Sequence, residues 1–141
     1  MTGIRISTVI EIPQRRIADM MIGAIEQNSM TTSWCNGVYL AGHWEAFHQR
    51  GQLSSKIWYD SPEIYDAFFL IEVHEIIDES EEPAGDNIKK HAVTYTDLIA
   101  GLTIMAQKYP DHFHDLFREN DDNITQDVFL QCITLKDVIY G

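Results

Sequence analysis

The sequence predicts an α+β fold: an antiparallel sheet of four to five strands with an N-terminal β-α unit and C-terminal helices. Three observations predict it. Apolar side chains alternate over residues 4–12 and switch to helical spacing after Pro13. Residues 67–77 form a run whose two faces are both apolar in its first half. From Thr94 onward the apolar spacing is helical. The expected order is β-α-β-β-β-β-α-α-α, in a single domain covering residues 1–141.

In the first strand Ile4, Ile6, Thr8, Ile10 and Ile12 share one face, and Arg5, Ser7, Val9 and Glu11 the other. Pro13 suits a first helical turn, where its missing N–H would be unpaired anyway. Ile17, Met20, Met21, Ala24 and Ile25 then repeat at helical spacing until the polar stretch Gln27, Asn28, Ser29. Residues 33–69 hold all three tryptophans and nine of the fifteen aromatic residues. Short strands are expected near residues 34–40 and 56–59, with a long loop or short helix over 42–55 between them. Ser61 and Pro62 mark a turn.

Residues 67–77 predict a central strand, covered on one side by the first helix and on the other by a C-terminal helix or a second subunit. Residues 78–86, with Glu79, Glu81, Glu82, Pro83 and Gly85, read as a charged tip, and 88–93 as the returning strand. Thr94 and Asp97 have capping-box spacing. Leu98, Leu102, Met105, Ala106 and Tyr109 follow on one helical face, and Pro110 stops it. Phe113, Leu116 and Phe117 predict a short second helix. Asn123 and Gln126 repeat the capping spacing ahead of a third, containing Val128, Phe129, Cys132 and Ile133.

Composition narrows the function. A chain of 141 residues with 45% apolar content can bury a core without staples. A net charge of −12 opposes nucleic acid, which needs a basic face. No apolar run approaches the ~20 residues of a membrane helix, and the N-terminus lacks the pattern of a signal sequence. A cytoplasmic protein is expected, or one of the host cytoplasm if phage-encoded. Cys35 and Cys132 read as buried or half-buried thiols.

Catalytic signatures are absent. There is no Gly-x-Ser-x-Gly elbow, no glycine-rich phosphate loop and no dinucleotide fingerprint, so no enzyme and no cofactor are expected. Cys35 has no nearby basic residue to activate it. The pairs His112 with His114 and His43 with His48 do not converge at zinc-ligand spacing. Glu72 and His74 share a strand face, read as its solvated polar end. Asp121, Asp122 and Asn123 lack the glycine and glutamate of a calcium loop.

The aromatic segment carries the functional reading. Trp34 and Trp58 could stack on a ring, and Arg50 and Lys56 could meet phosphates. The competing account is that these rings fill the core of the sheet. Asn120, Asp122, Asn123 and Thr125 are capping residues by type. A pocket at that helix N-terminus would nonetheless receive a phosphate on free N–H groups, aided by Arg118 and opposed by neighbouring carboxylates.

Two blocks resemble a family of small proteins of tailed phages and prophages. The first is Arg16, Ile17, Ala18, Asp19, Met20, Met21, then Ala24, Glu26, Ser29, Ser33 and Trp34. The second runs from Gly101 and Leu102 through residues 105–113 and 119–122, then Thr125, residues 127–132 and the terminal Tyr140 and Gly141. Residues 40–90 match poorly. The chain departs from the pattern at Gln27-Asn28 and Lys136, where glycines are expected, and in an insertion before Trp34. The resemblance extends to sponge proteins of the Thoeris anti-defence type. It implies a homo-oligomer that binds and sequesters a cyclic ADP-ribose-type nucleotide without degrading it. The ligand-binding residues expected on these grounds are Trp34, Arg50, Lys56, Trp58, Arg118, Asn120 and Thr125. The alternative is an acidic phage protein that inhibits a host protein by direct binding, as a DNA mimic. Its acidic stretches are residues 78–86 and 111–127.

Overall fold

The computed structural model of the protein describes residues 2–118 and 122–141. Six helices and a three-stranded sheet follow one another as α1 (Gln14–Ile25), α2 (Ser29–Thr32), β1 (Cys35–Leu40), α3 (Gly42–Gln49), β2 (Leu70–Ile76), β3 (Ile88–Thr94), α4 (Tyr95–Lys108), α5 (Pro110–Phe117) and α6 (Asn123–Leu135). The α+β class is as expected. The sheet has three strands rather than four to five, in the order β1-β2-β3, antiparallel throughout.

Two expected strands do not form. Residues 4–12 adopt no regular structure, so the fold has no N-terminal β-α unit. The alternation there is real, but no sheet edge of the chain lies alongside to supply hydrogen-bond partners. Residues 56–59 also fail as a strand. Trp58–Asp60 and Pro62–Ile64 form 3-10 turns instead, because Ser61 accepts and donates locally at Ser55 and Ile57 and holds the chain curled.

β2 is the central strand, in register with Val38 and Val93 through Val73 and Ile71. A bulge at Asn36 interrupts the β1 pairing between Cys35 and Gly37. Ile71, Val73 and Val93 are buried beneath the helices. The other sheet face, with Tyr39, Glu72 and His74, is half-covered at most. Only the α3 end of that face is roofed, where Gly42 (φ +67°) lets the chain turn tightly over Leu70. Burial on both faces was expected of β2; one face is buried.

α6 is the central helix, contacting α1, α2, α4, α5 and β3. It buries Val128, Phe129, Leu130, Cys132 and Ile133. Gly101 of α4 crosses it so closely that a Cβ there would sit 2.4 Å from the Ile133 Cα. Thr94 and Asp97 form the expected capping box on α4. The α6 cap is one residue earlier than the spacing indicates: Asp122, not Asn123, accepts from the Thr125 N–H. Pro110 both ends α4 and occupies the first turn of α5.

Among the described residues no helix is long and apolar enough to cross a membrane. Cys35 and Cys132 are buried free thiols, pushed up to about 11 and about 12 by burial.

Candidate functional site

The expected ligand residues do not meet in one place. Trp34 is fully buried, and its ring stacks on Tyr140 with centroids 5.7 Å apart and planes 6° from parallel. Its indole N–H donates to Asp127 Oδ1 at 2.8 Å. No surface of Trp34 is left for a ligand. Here the core-filling account of the rings holds, because the indole has both an apolar bed and a buried acceptor.

Asp127 is itself buried and also accepts from Thr31 Oγ1 at 3.0 Å and Gln131 Nε2 at 2.7 Å. Gln131 in turn accepts from the N–H groups of Ile139 and Tyr140 and donates to the Tyr140 carbonyl. Tyr140 then donates its hydroxyl to Glu75, which also meets His91 at 2.8 Å. Trp34, Asp127, Gln131 and Tyr140 all belong to the two blocks behind the family resemblance. In this chain they build one buried network that ties the C-terminal tail to α6 and the sheet.

Thr125 is also buried, hydrogen-bonded to His112 Nδ1 at 2.7 Å beside the Asp122 cap. The Asp122 carboxylate thus takes the Thr125 N–H at the α6 N-terminus, and its negative charge there opposes a phosphate. Arg118 caps α5 through its backbone N–H and is exposed. Asn120 lies outside the described residues. Trp58 is half-buried against the core, edge-to-face with Tyr59 at 5.2 Å.

Around Arg50 the structure gathers features the spacing did not single out, while Lys56 lines a hollow just beyond. On α3, His43, Phe47 and Arg50 follow at i, i+4 and i+7 and so stand on one helical face. The His43 ring lies 4.9 Å from Phe47 and 4.7 Å from Phe68, and Trp44 lies 5.2 Å from Phe47. The Arg50 guanidinium sits over the Phe47 ring at 5.1 Å. Phe68, 61% exposed, extends this aromatic ledge into solvent. The ledge is fixed from beneath: Trp44 Nε1 donates to Asp66 Oδ1 at 2.8 Å, and Asp66 also accepts the Phe68 N–H.

The helix ends in a Schellman turn, with Gly51 (φ +68°) donating to the His48 carbonyl and Gln52 to that of Phe47. Just beyond it, His48, Gly51, Leu53, Ser55 and Lys56 line a hollow of about 170 Å³. A helix C-terminus carries roughly half a negative charge, which opposes an anion. Arg50 and Lys56 supply two full positive charges at the same end, and neither makes an ion pair among the described residues. By contrast Arg15, Lys108 and Lys136 are each held by carboxylates. The signal that could have found this ledge was the spacing of His43, Trp44, Phe47 and His48, once the short-helix alternative over 42–55 is taken.

A larger concavity lies elsewhere. A groove of about 1010 Å³ separates residues 6–12 from α4, with Ile6, Ile10, Ile99 and Leu102 among its walls. Its charged lining is Glu11 and Asp66, which would repel a phosphate. Among the described residues no three His, Cys, Asp or Glu side chains converge as metal ligands. Comparison with protein-family models, curated proteins and solved structures returns no match for this chain.

Proposed function

We propose that this chain is a non-catalytic binding protein that holds a nucleotide-type anion at the end of α3. The aromatic ledge of His43, Phe47 and Phe68 would stack the base, and Arg50 and Lys56 would meet the phosphates. The observation that supports this reading most is the Arg50 guanidinium over the Phe47 ring beside the exposed Phe68, with Arg50 bound to Gln52 Oε1 and to no carboxylate, in a molecule whose net charge is −12. The phage resemblance extends the reading to a cyclic ADP-ribose-type immune signal, sequestered intact to blunt a bacterial defence.

Volume bounds the proposal. Pockets for whole drug-sized ligands are on the order of 300 Å³ or more, so the hollow beside Lys56 seats a phosphate while the base lies on the open ledge. The test is thermal unfolding with a panel of linear and cyclic adenine nucleotides. A binder at a hundred times its dissociation constant adds about 2.7 kcal/mol and raises the midpoint. The shift should vanish in the Arg50→Ala, Lys56→Ala double variant, and the ligand should be recovered unaltered after denaturation. No shift with any nucleotide, or recovery of a hydrolysed product, contradicts the proposal.

A second reading rests on the exposed tip formed by Asp78, Glu79, Glu81, Glu82 and Asp86. Such a surface fits a basic, DNA-binding host protein, with association that weakens as salt rises. A partner displaced by DNA duplex and lost on replacing the five carboxylates with amides would favour it over the nucleotide reading.

A further inference from the structure

Residues 4–12, the arm of the chain ahead of α1, form no regular structure, wall the groove beside α4 and have no sheet partner among the described residues. Ile4, Ile6 and Val9 are 93%, 83% and 94% exposed, and Ile10 is half exposed. A soluble chain rarely leaves a run of β-branched residues in water without something to cover it. The arm's own sequence specifies the cover. We propose that two copies of this chain associate through these arms, paired antiparallel about a twofold axis at Thr8.

That register sets Ile4 opposite Ile12 and Ile6 opposite Ile10, and it sets Arg5 of one copy opposite Glu11 of the other. Each contact occurs twice by symmetry. Moving the register by two residues either way removes both charge pairs and half of the isoleucine pairs. Moving it by one sets isoleucine against the polar face. Cross-strand apolar and opposite-charge pairs are what stabilise such a ribbon, and one register satisfies both kinds.

The groove supplies the ribbon's bed. Ile6, Thr8, Ile10 and Ile12 line it together with Ser7 and Glu11, and its far wall is the outer surface of α4, with Ile99 48% exposed and Leu102 beside it. In an antiparallel pair the isoleucine faces of both arms lie on the same side, so both turn toward this apolar wall. The ribbon is separate from the three-stranded sheet and shares no residue with the α3 ledge. Its success or failure is therefore independent of the nucleotide reading.

The test is cross-linking by register, with sedimentation equilibrium alongside. Opposed residues of an antiparallel pair have Cα atoms about 4.5–5.5 Å apart, within disulfide range. Thr8→Cys should give a disulfide-linked dimer under mild oxidation. Ser7→Cys, whose own copy lies diagonally about 7–8 Å away, should stay reduced. The native thiols are buried and will not compete. Unmodified protein should sediment as a dimer, Ile6→Asp with Ile10→Asp as a folded monomer. Arg5→Glu should weaken the dimer at least tenfold, and adding Glu11→Arg should restore it. A monomer at all concentrations, or equal cross-linking at positions 7 and 8, overturns the proposal.

Discussion

Asp127 is the residue on which the core's polar order depends. It is buried, and it accepts from Trp34, Thr31 and Gln131 at once. Asp127→Ala would leave two donors at full cost and free Gln131 from its anchor, with each orphaned donor worth about 1–3 kcal/mol. The expected loss is about 3 kcal/mol or more in urea titration, with the tail released. A loss below about 1 kcal/mol would mean the network is not stabilising. Backbone angles give a second residue-scale prediction. Gln27 and Lys136 both have positive φ, 53° and 62°, at positions where the family resemblance expects glycine. Glycine meets no Cβ clash there, so Gln27→Gly should stabilise by about 1 kcal/mol. Lys136→Gly should gain less, because it forfeits the ammonium contacts to Asp97 and the Ile133 carbonyl. The end of α1 was legible from the polar stretch Gln27, Asn28, Ser29. The burial of Trp34 was not, since a tryptophan beside turn residues reads equally well as pocket or core until its acceptor, 93 positions away, is placed.

At the scale of elements, packing decided what local pattern could not. β2, β3, α1 and α4 follow their periodicity closely, because each has a partner within the chain that rewards it. The arm at residues 4–12 has equally clear periodicity and no such partner, so alternation alone could not make it a strand of this sheet. The α3 ledge was missed for a different reason: eight residues of helix rich in aromatics carry too weak a helical signal to be separated from a loop. The α4–α6 crossing makes its own prediction. Gly101→Ala forces a methyl into the α6 backbone and should destabilise by about 1–3 kcal/mol in thermal or urea unfolding. The C-terminal tail is also clipped to α4, where Lys108 and Tyr109 hold the Asp137 carboxyl down to about 2. A carboxyl lowered by folding stabilises above its ordinary range, near pH 4, and that contribution is lost as pH falls toward 2. The midpoints of the parent chain and Asp137→Asn should therefore differ at neutral pH and converge on acidification. A gap that stays constant with pH would contradict the clip.

Over the whole molecule, charge is spent unevenly. Most carboxylates face solvent, while Arg15, Lys108 and Lys136 are consumed in pairs and Arg16 binds the Leu116 carbonyl. Arg50, which donates to Gln52, and Lys56 make no ion pair among the described residues, and the proposed anion site at the end of α3 rests on them. The measurement that tests this most directly is a nucleotide titration followed through the indole N–H resonances of the three tryptophans. Trp44 lies under the ledge and Trp34 inside the core, so the account predicts that the Trp44 resonance moves with saturation while that of Trp34 stays fixed. Both resonances fixed at saturating nucleotide, or Trp34 moving while Trp44 does not, would contradict it.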